Sequence, residues 1–229
     1  MRLNQLCAAL LAVLAALLAV SATAQGKGRN WLTQVTLTDT SHVIGNPAAK
    51  VKLTEYISYT CPHCAEFARQ GDGPLQLAYI GQGKLQVEVR HMLRDPVDLV
   101  AAMLVRCGSP AKFPQNHRAF MLGQADWIKP MVSPSPAQEA RWRQPGAAGR
   151  RAIAADFHFY DIMERRGYSR TEADRCLADE AFAKKLATAA QKDWDMPGVE
   201  GTPTFAINGV LLAGTHTWAS LEPQLKARF

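Results

Sequence analysis

The sequence lacks an apolar run long enough to cross a membrane. Its longest, Leu6 to Val20, is 15 residues, and a spanning helix needs about 20. It lacks internal repeats and low-complexity tracts, which excludes a solenoid and a wholly disordered chain. It also lacks a stripe of basic residues interleaved with aromatics. The formal charge of +6 is modest, and the Arg141–Arg151 and Arg165–Arg170 clusters read as solvated faces, so no nucleic acid is expected as a partner. Cysteine is scarce, with five in 229 residues. No second C-x-x-C and no histidine pair at ligand spacing accompanies them, which argues against a four-ligand zinc site. His42, His91, His117, His158 and His216 are scattered along the chain and read as surface or ordinary structural histidines.

What is present begins with a short basic opening, the apolar run, and small residues with Ala22 and Ala24 in A-x-A positions. This pattern predicts a cleaved signal peptide over residues 1–24; an uncut anchor is the alternative. Cleavage removes Cys7 and leaves Cys61, Cys64, Cys107 and Cys176. An even number in an exported chain suggests two pairs in an oxidising compartment, a bacterial periplasm.

Strand signals occupy Val35–Val43, Val51–Ser58 and Leu85–Met92, with a helix from about Cys64, kinked near Gly71–Pro74, to Ile80. From Pro96 to about Trp194 no strand pattern appears. Leu99–Val105, Phe113–Met121, Ala147–Arg166 and Thr171–Asp193 read as helices, with Ser133–Pro136 a break and Gly167 a stop. Thr204–Ile207, the Asn208-Gly209 turn and Val210–Leu212 form a hairpin, and Thr217–Arg228 a last helix. The expected organisation is α/β: residues 25–95 and 196–229 as two parts of one domain, and 96–195 as an inserted all-helical domain.

Cys61-Pro62-His63-Cys64 lies where a strand meets a helix inside a βαβ unit, the arrangement of thioredoxin-like redox centres. Only a thiolate attacks a disulfide. Unpaired N–H groups and the dipole at a helix N-terminus favour that anion by about 1 kcal/mol, roughly one pKa unit. Cys61 is then the exposed nucleophile and Cys64, one turn on, the resolving thiol. His63 could add to the stabilisation as a cation or as a donor to the sulfur, and Pro62 pre-sets the first turn. A structural disulfide and a zinc site are the competing readings of this pair.

The motif resembles the active site of the DsbA-like thiol:disulfide oxidoreductases. A second signature, Gly201-Thr202-Pro203-Thr204-Phe205, has its proline 142 residues after Cys61. The resemblance covers nearly the whole chain beyond residue 24, long helical insertion included. It implies a thioredoxin-like fold with Pro203 cis and facing the cysteines, and Thr202 offering backbone groups to a bound client strand. It further implies that Glu55, six residues before Cys61, is a buried carboxylate moving a proton to or from Cys64. The expected clients are unfolded or reduced proteins, with a membrane redox partner for reoxidation and no organic cofactor or metal. Threonine before the proline, where the enteric oxidase has valine, leaves isomerisation or reduction open. Gln25–Lys50 is too short for the dimerisation domain of isomerases, which favours a monomer. Cys107 and Cys176, both in the insertion, are expected to form a structural disulfide closing a loop of roughly 70 residues; free thiols or a regulatory pair are the alternatives. Two other readings are a copper- or zinc-handling protein and a binding module that has lost the chemistry.

Overall fold

Strand β3 (Val51–Ile57) supplies the centre of the architecture. Its β-branched and aromatic residues suit a pleated surface buried on both faces. In the computed structural model, which describes residues 29–229, β3 lies between the parallel β4 (Leu85–His91) and the antiparallel β5 (Thr204–Ile207). With β1 (Val35–Leu37), β2 (His42–Gly45) and β6 (Val210–Leu211) the sheet has the order β1-β2-β4-β3-β5-β6. The signal-peptide segment 1–24 and Cys7 lie outside the described residues. Among those described, no helix is long and apolar enough to cross a membrane.

The single strand expected over Val35–Val43 is two. Thr38 and Ser41 exchange backbone and hydroxyl bonds (Thr38 N to Ser41 O 3.1 Å, Ser41 N to Thr38 Oγ1 2.8 Å). These close a turn in mid-run, a known habit of Ser and Thr. At the far edge, Asn208 and Gly209 both have positive φ (51° and 81°), as a two-residue hairpin turn demands.

Helix α1 (Pro62–Pro74) starts two residues earlier than the sequence suggested, with Cys61 as its N-cap and Pro62 in its first turn. Pro74 lacks an N–H for the helical ladder. The chain then continues as a wider coil, Leu75–Ile80, in which Gly81 N–H bonds Gln76 O at 2.8 Å. Seven of the ten described helices lie between β4 and the next long helix: α2 (Pro96–Val105), α3 (Phe113–Leu122), α4 (Gln124–Trp127), α5 (Pro136–Trp142), α6 (Gly146–Asp156), α7 (Phe159–Arg165) and α8 (Arg170–Leu177). The remaining two are α9 (Glu180–Trp194) and α10 (Trp218–Lys226).

Two helices expected as continuous are broken. His158 adopts φ 57° between α6 and α7. Asp179 leaves helical geometry to accept Phe182 N–H at 2.8 Å and cap α9. Neither break carries Gly or Pro. The segment Ser133–Pro136 is a break as expected, and Ser135 uses it to build a capping box with Gln138 that starts α5, a helix the sequence pattern had not suggested.

Trp31–Phe229 form one unit. Leu53, Val87 and Phe205 of the sheet, Phe67 of α1, the buried run Val100–Val105 of α2, and Phe120, Phe157, Phe159 and Met163 of later helices belong to one continuous apolar core. Arg90 on β4 grips Asp193 on α9 with a two-pronged ion pair (2.8 and 2.9 Å), a geometry that fixes orientation as well as charge. Cys107, after α2, is joined by a disulfide to Cys176 on α8.

Candidate active site

The end of β3, the loop Ser58-Tyr59-Thr60 and the start of α1 carry the cysteine pair. Both cysteines are free thiols. Among the described residues no side chain caps α1, so its first N–H groups are open to the Cys61 sulfur. As a thiol, Cys61 donates to Thr202 O at 3.1 Å. As an anion it is favoured first by the Cys64 thiol, then by the Thr202 side chain and the backbone N–H groups of Cys64 and His63. Together these outweigh burial and pull its pKa from 9 down to about 5. This exceeds the single unit expected from the helix dipole, because several donors converge on one sulfur.

Cys61 is not the exposed residue that the sequence suggested. It is only 3% exposed and forms part of a groove of about 370 Å³ lined by Pro62, His63, Arg94, Trp194, Glu200, Gly201 and Thr202. Pro62 and His63 lie exposed on its rim. His63 contributes its backbone N–H to the Cys61 sulfur; its imidazole makes no hydrogen bond with a described residue.

Cys64 lies deeper, 1% exposed. Burial, then the bond with Cys61, raises its thiol pKa well above the usual value, and Ser58 N–H, 3.5 Å from the sulfur, works the other way. The two cysteines are thus driven apart, an acidic outer thiol and a reluctant inner one. Thr202 and Pro203 sit opposite, joined by a cis peptide. Pro203 O accepts the His216 Nδ1–H at 2.8 Å and Gly201 O accepts the Thr204 hydroxyl at 2.7 Å, which pins this loop against the cysteines.

Glu55 pairs with Val89 and Phe205 across the sheet and shares its face with Leu53 and Ile57. It is 4% exposed, and burial, then the charge of Asp72, raises its pKa from 4.5 to about 8. Asp72 on α1 is itself raised to about 7 by burial, with Arg118 opposing, and its Oδ2 has no partner among the described residues.

Sequence reasoning missed Asp98, Asp95 and Gln124, which hold the loop ahead of Cys61. Asp98 accepts the Tyr59 N–H at 2.8 Å, and Gln124 Nε2 donates to Tyr59 O at 2.6 Å and Cys61 O at 2.8 Å. The only signal was the Asp95-Pro96 start of α2. It also missed that three histidines gather. His42 stacks on Phe113 with centroids 3.5 Å apart, His91 lies 5.6 Å from His42, and His117 Nδ1 meets the Tyr59 hydroxyl at 2.9 Å. All three are buried, and burial lowers the pKa of His91 to about 3 and of His117 to about 4. Among the described residues no group of His, Cys, Asp or Glu is arranged to hold a metal ion.

The family model described as thioredoxin matches residues 37–227. The chain belongs to the thioredoxin family. Its fold superposes on the crystal structure of a protein-disulfide isomerase from Novosphingobium aromaticivorans with a TM-score of 0.79 and 48% identity, covering 84% of this chain and 98% of that one. Wolbachia pipientis alpha-DsbA1 shares the fold at 19% identity and a TM-score of 0.66, over 87% and 95% of the two chains. A Rickettsia conorii protein provisionally named as a protein-disulfide oxidoreductase is 30% identical over 173 residues, 75% of this chain. The chain spans about half the length (54%) of that curated relative. Within this family the sheet, the cysteine pair at the mouth of α1 and the cis-proline loop form a thioredoxin fold with a DsbA-like helical insertion.

Proposed function

We propose that this protein is an exported thiol:disulfide oxidoreductase that introduces disulfides into reduced client proteins. The observation that carries this reading is the opposed pair of thiols: Cys61 drawn down to about 5 and Cys64 pushed up by burial. In the oxidised enzyme a client thiolate attacks Cys61 Sγ. The Cys61–Cys64 bond breaks and Cys64 leaves with the electron pair, taking a proton whose donor we assign to Glu55, a carboxyl raised to about 8 by burial. A second client thiolate then attacks the client sulfur of the mixed disulfide. The client disulfide forms and Cys61 departs as a stable thiolate. Stabilising that thiolate favours the dithiol enzyme and makes the disulfide form a stronger oxidant, the same logic that accounts for the oxidising strength of DsbA. Thr202 offers its backbone to the client strand, and residues 96–195 act as the cap over the groove.

The relationship to a protein-disulfide isomerase of 48% identity supports a second reading, in which the reduced protein reshuffles disulfides and Cys61 thiolate is the attacking group. The two separate by redox equilibrium with glutathione, using the Cys107→Ser/Cys176→Ser variant alongside. A potential more oxidising than about −150 mV supports the oxidase; a value near about −180 mV supports isomerisation, and one at or below about −220 mV a reducing role. We further propose that residues 1–24 direct export to the periplasm and are removed, that the mature chain works as a monomer, and that a membrane partner reoxidises it. The mass of the protein recovered from an exporting bacterial host tests the cleavage.

A further inference from the structure

Resting on the thiol-exchange reading above, the inner cysteine must attack when a mixed disulfide closes. Cys64 Sγ bonds to Cys61 Sγ, the bond between Cys61 and the ligand sulfur breaks, and the ligand thiolate leaves with the electron pair. The Cys64 proton passes to Glu55 or to solvent. No oxidant beyond the mixed disulfide is consumed. Cys64 is poorly prepared for this attack, because burial disfavours its anion. The backbone donor that works for the anion is Ser58 N–H, 3.5 Å from the sulfur.

That N–H belongs to the Ile57–Ser58 peptide: on the sheet side Ile57 O accepts Met92 N–H at 2.7 Å, and on the other side Ser58–Thr60 is held by the start of α2 and by Gln124. Asp98 accepts the Ser58 hydroxyl, the Tyr59 N–H at 2.8 Å and the Arg94 N–H at 3.2 Å. Asp95 caps the helix by accepting Asp98 N–H at 2.9 Å and takes the Thr60 hydroxyl at 2.6 Å. The cap role of this helix is thus already filled by Asp95. Asp98 turns inward and is 1% exposed, a placement that disfavours a carboxylate unless donors surround it. Its donors come from the loop ahead of the cysteines and from Arg94.

We propose that Asp98 is a positioning residue for the resolving step: by gripping Ser58 and Tyr59 it aims Ser58 N–H at Cys64 Sγ. Asp98 touches neither sulfur. It acts on the second half of the exchange, whereas Cys61 draws its activation from α1 and Thr202.

The test separates the halves. Reduced full-length protein is mixed with oxidised glutathione and quenched with acid at intervals. Mass spectrometry then gives the rate at which the Cys61–glutathione mixed disulfide forms and the rate at which Cys64 resolves it. In Asp98→Ala resolution is expected to slow about tenfold, the effect of losing about 1.4 kcal/mol of transition-state stabilisation. Formation and the Cys61 thiolate titration are expected to move less than about twofold. Asp98→Asn, which keeps an oxygen for Tyr59 N–H, is expected to recover most of the rate. Ser58→Ala removes one of the bonds while leaving the carboxylate, and serves if Asp98→Ala does not fold; it is expected to slow resolution alone. Equal slowing of both steps, or resolution at the wild-type rate in Ser58→Ala and Asp98→Ala, overturns the proposal. A wild-type protein that forms no mixed disulfide overturns the exchange reading itself, and this assignment with it.

Discussion

Replacing Glu55 by glutamine tests the burial argument at its sharpest point. The carboxyl has a folded pKa of about 8 against 4.5 unfolded. Between those values the folded protein holds a proton that the unfolded chain has released, so stability falls as pH rises. From 4.5 to pH 7 is 2.5 units at about 1.4 kcal/mol each, or about 3.5 kcal/mol in all. Both causes, burial and the Asp72 charge, are independent of the cysteines. The oxidised protein can therefore be used, which removes the opposite effect of Cys61. There, a folded pKa lowered to about 5 from 9 makes the reduced form more stable as pH rises through that window. Urea unfolding of oxidised wild type and Glu55→Gln at pH 5, 6, 7 and 8 gives the difference directly. The variant should gain on the wild type by about 1 kcal/mol per pH unit, tending to level off above pH 8. A difference that does not change with pH would mean that Glu55 is ionised in the folded protein, and the proton-transfer role built on its raised pKa would go with it.

The reduced protein should show a thiolate absorbance near 240 nm that titrates at about 5 and vanishes in Cys61→Ser; a midpoint above about 8, near that of a free thiol, would contradict the convergence of donors on that sulfur. Removing the Cys107–Cys176 disulfide, with its separation of 69 residues, should cost about 4 kcal/mol in urea unfolding; a loss below about 1 kcal/mol would mark it as something other than a structural staple. His91, with neither ring nitrogen partnered among the described residues, has a folded pKa of about 3 against an unfolded 6.5. Its stabilising effect is therefore complete above pH 6.5 and lost as pH falls toward 3. His91→Leu should shift acid unfolding, followed by circular dichroism, to lower pH, and an unchanged midpoint would refute this.

The chemistry of the site was legible because its residue types are fixed in a short span. Cys61 and Cys64 at a strand–helix junction, and Thr202-Pro203 before a strand, allow few other arrangements. Asn208-Gly209 was legible for the same reason. The supporting residues were not. Asp98 occupies the third position of a helix that already has an aspartate cap, where an acid ordinarily faces solvent and favours the helix dipole; only the fold turns it inward. The histidine cluster depends on the pairing of β2 with β4 and on Phe113 and His117 lying one turn apart on α3. The contacts of His42 with His91 and Phe113, and of His117 with Tyr59, are not local in sequence. The breaks at His158 and Asp179 were hidden because each uses a residue that also sits comfortably within a helix pattern.

The shared apolar core has a mechanical consequence. Since Val100–Val105 pack in the same cluster as Val87 and Phe205, helices and sheet meet through dry apolar contacts, and parting them would expose the core itself. Cys61, which forms one wall of the groove, is a member of that same core, and Trp194, which also lines it, packs on the smaller cluster of Tyr56, Met92 and Ala206. Under the function proposed above, a client strand has to fit itself to walls rooted in the two clusters, and segments still unstructured around their cysteines are the ones able to do so.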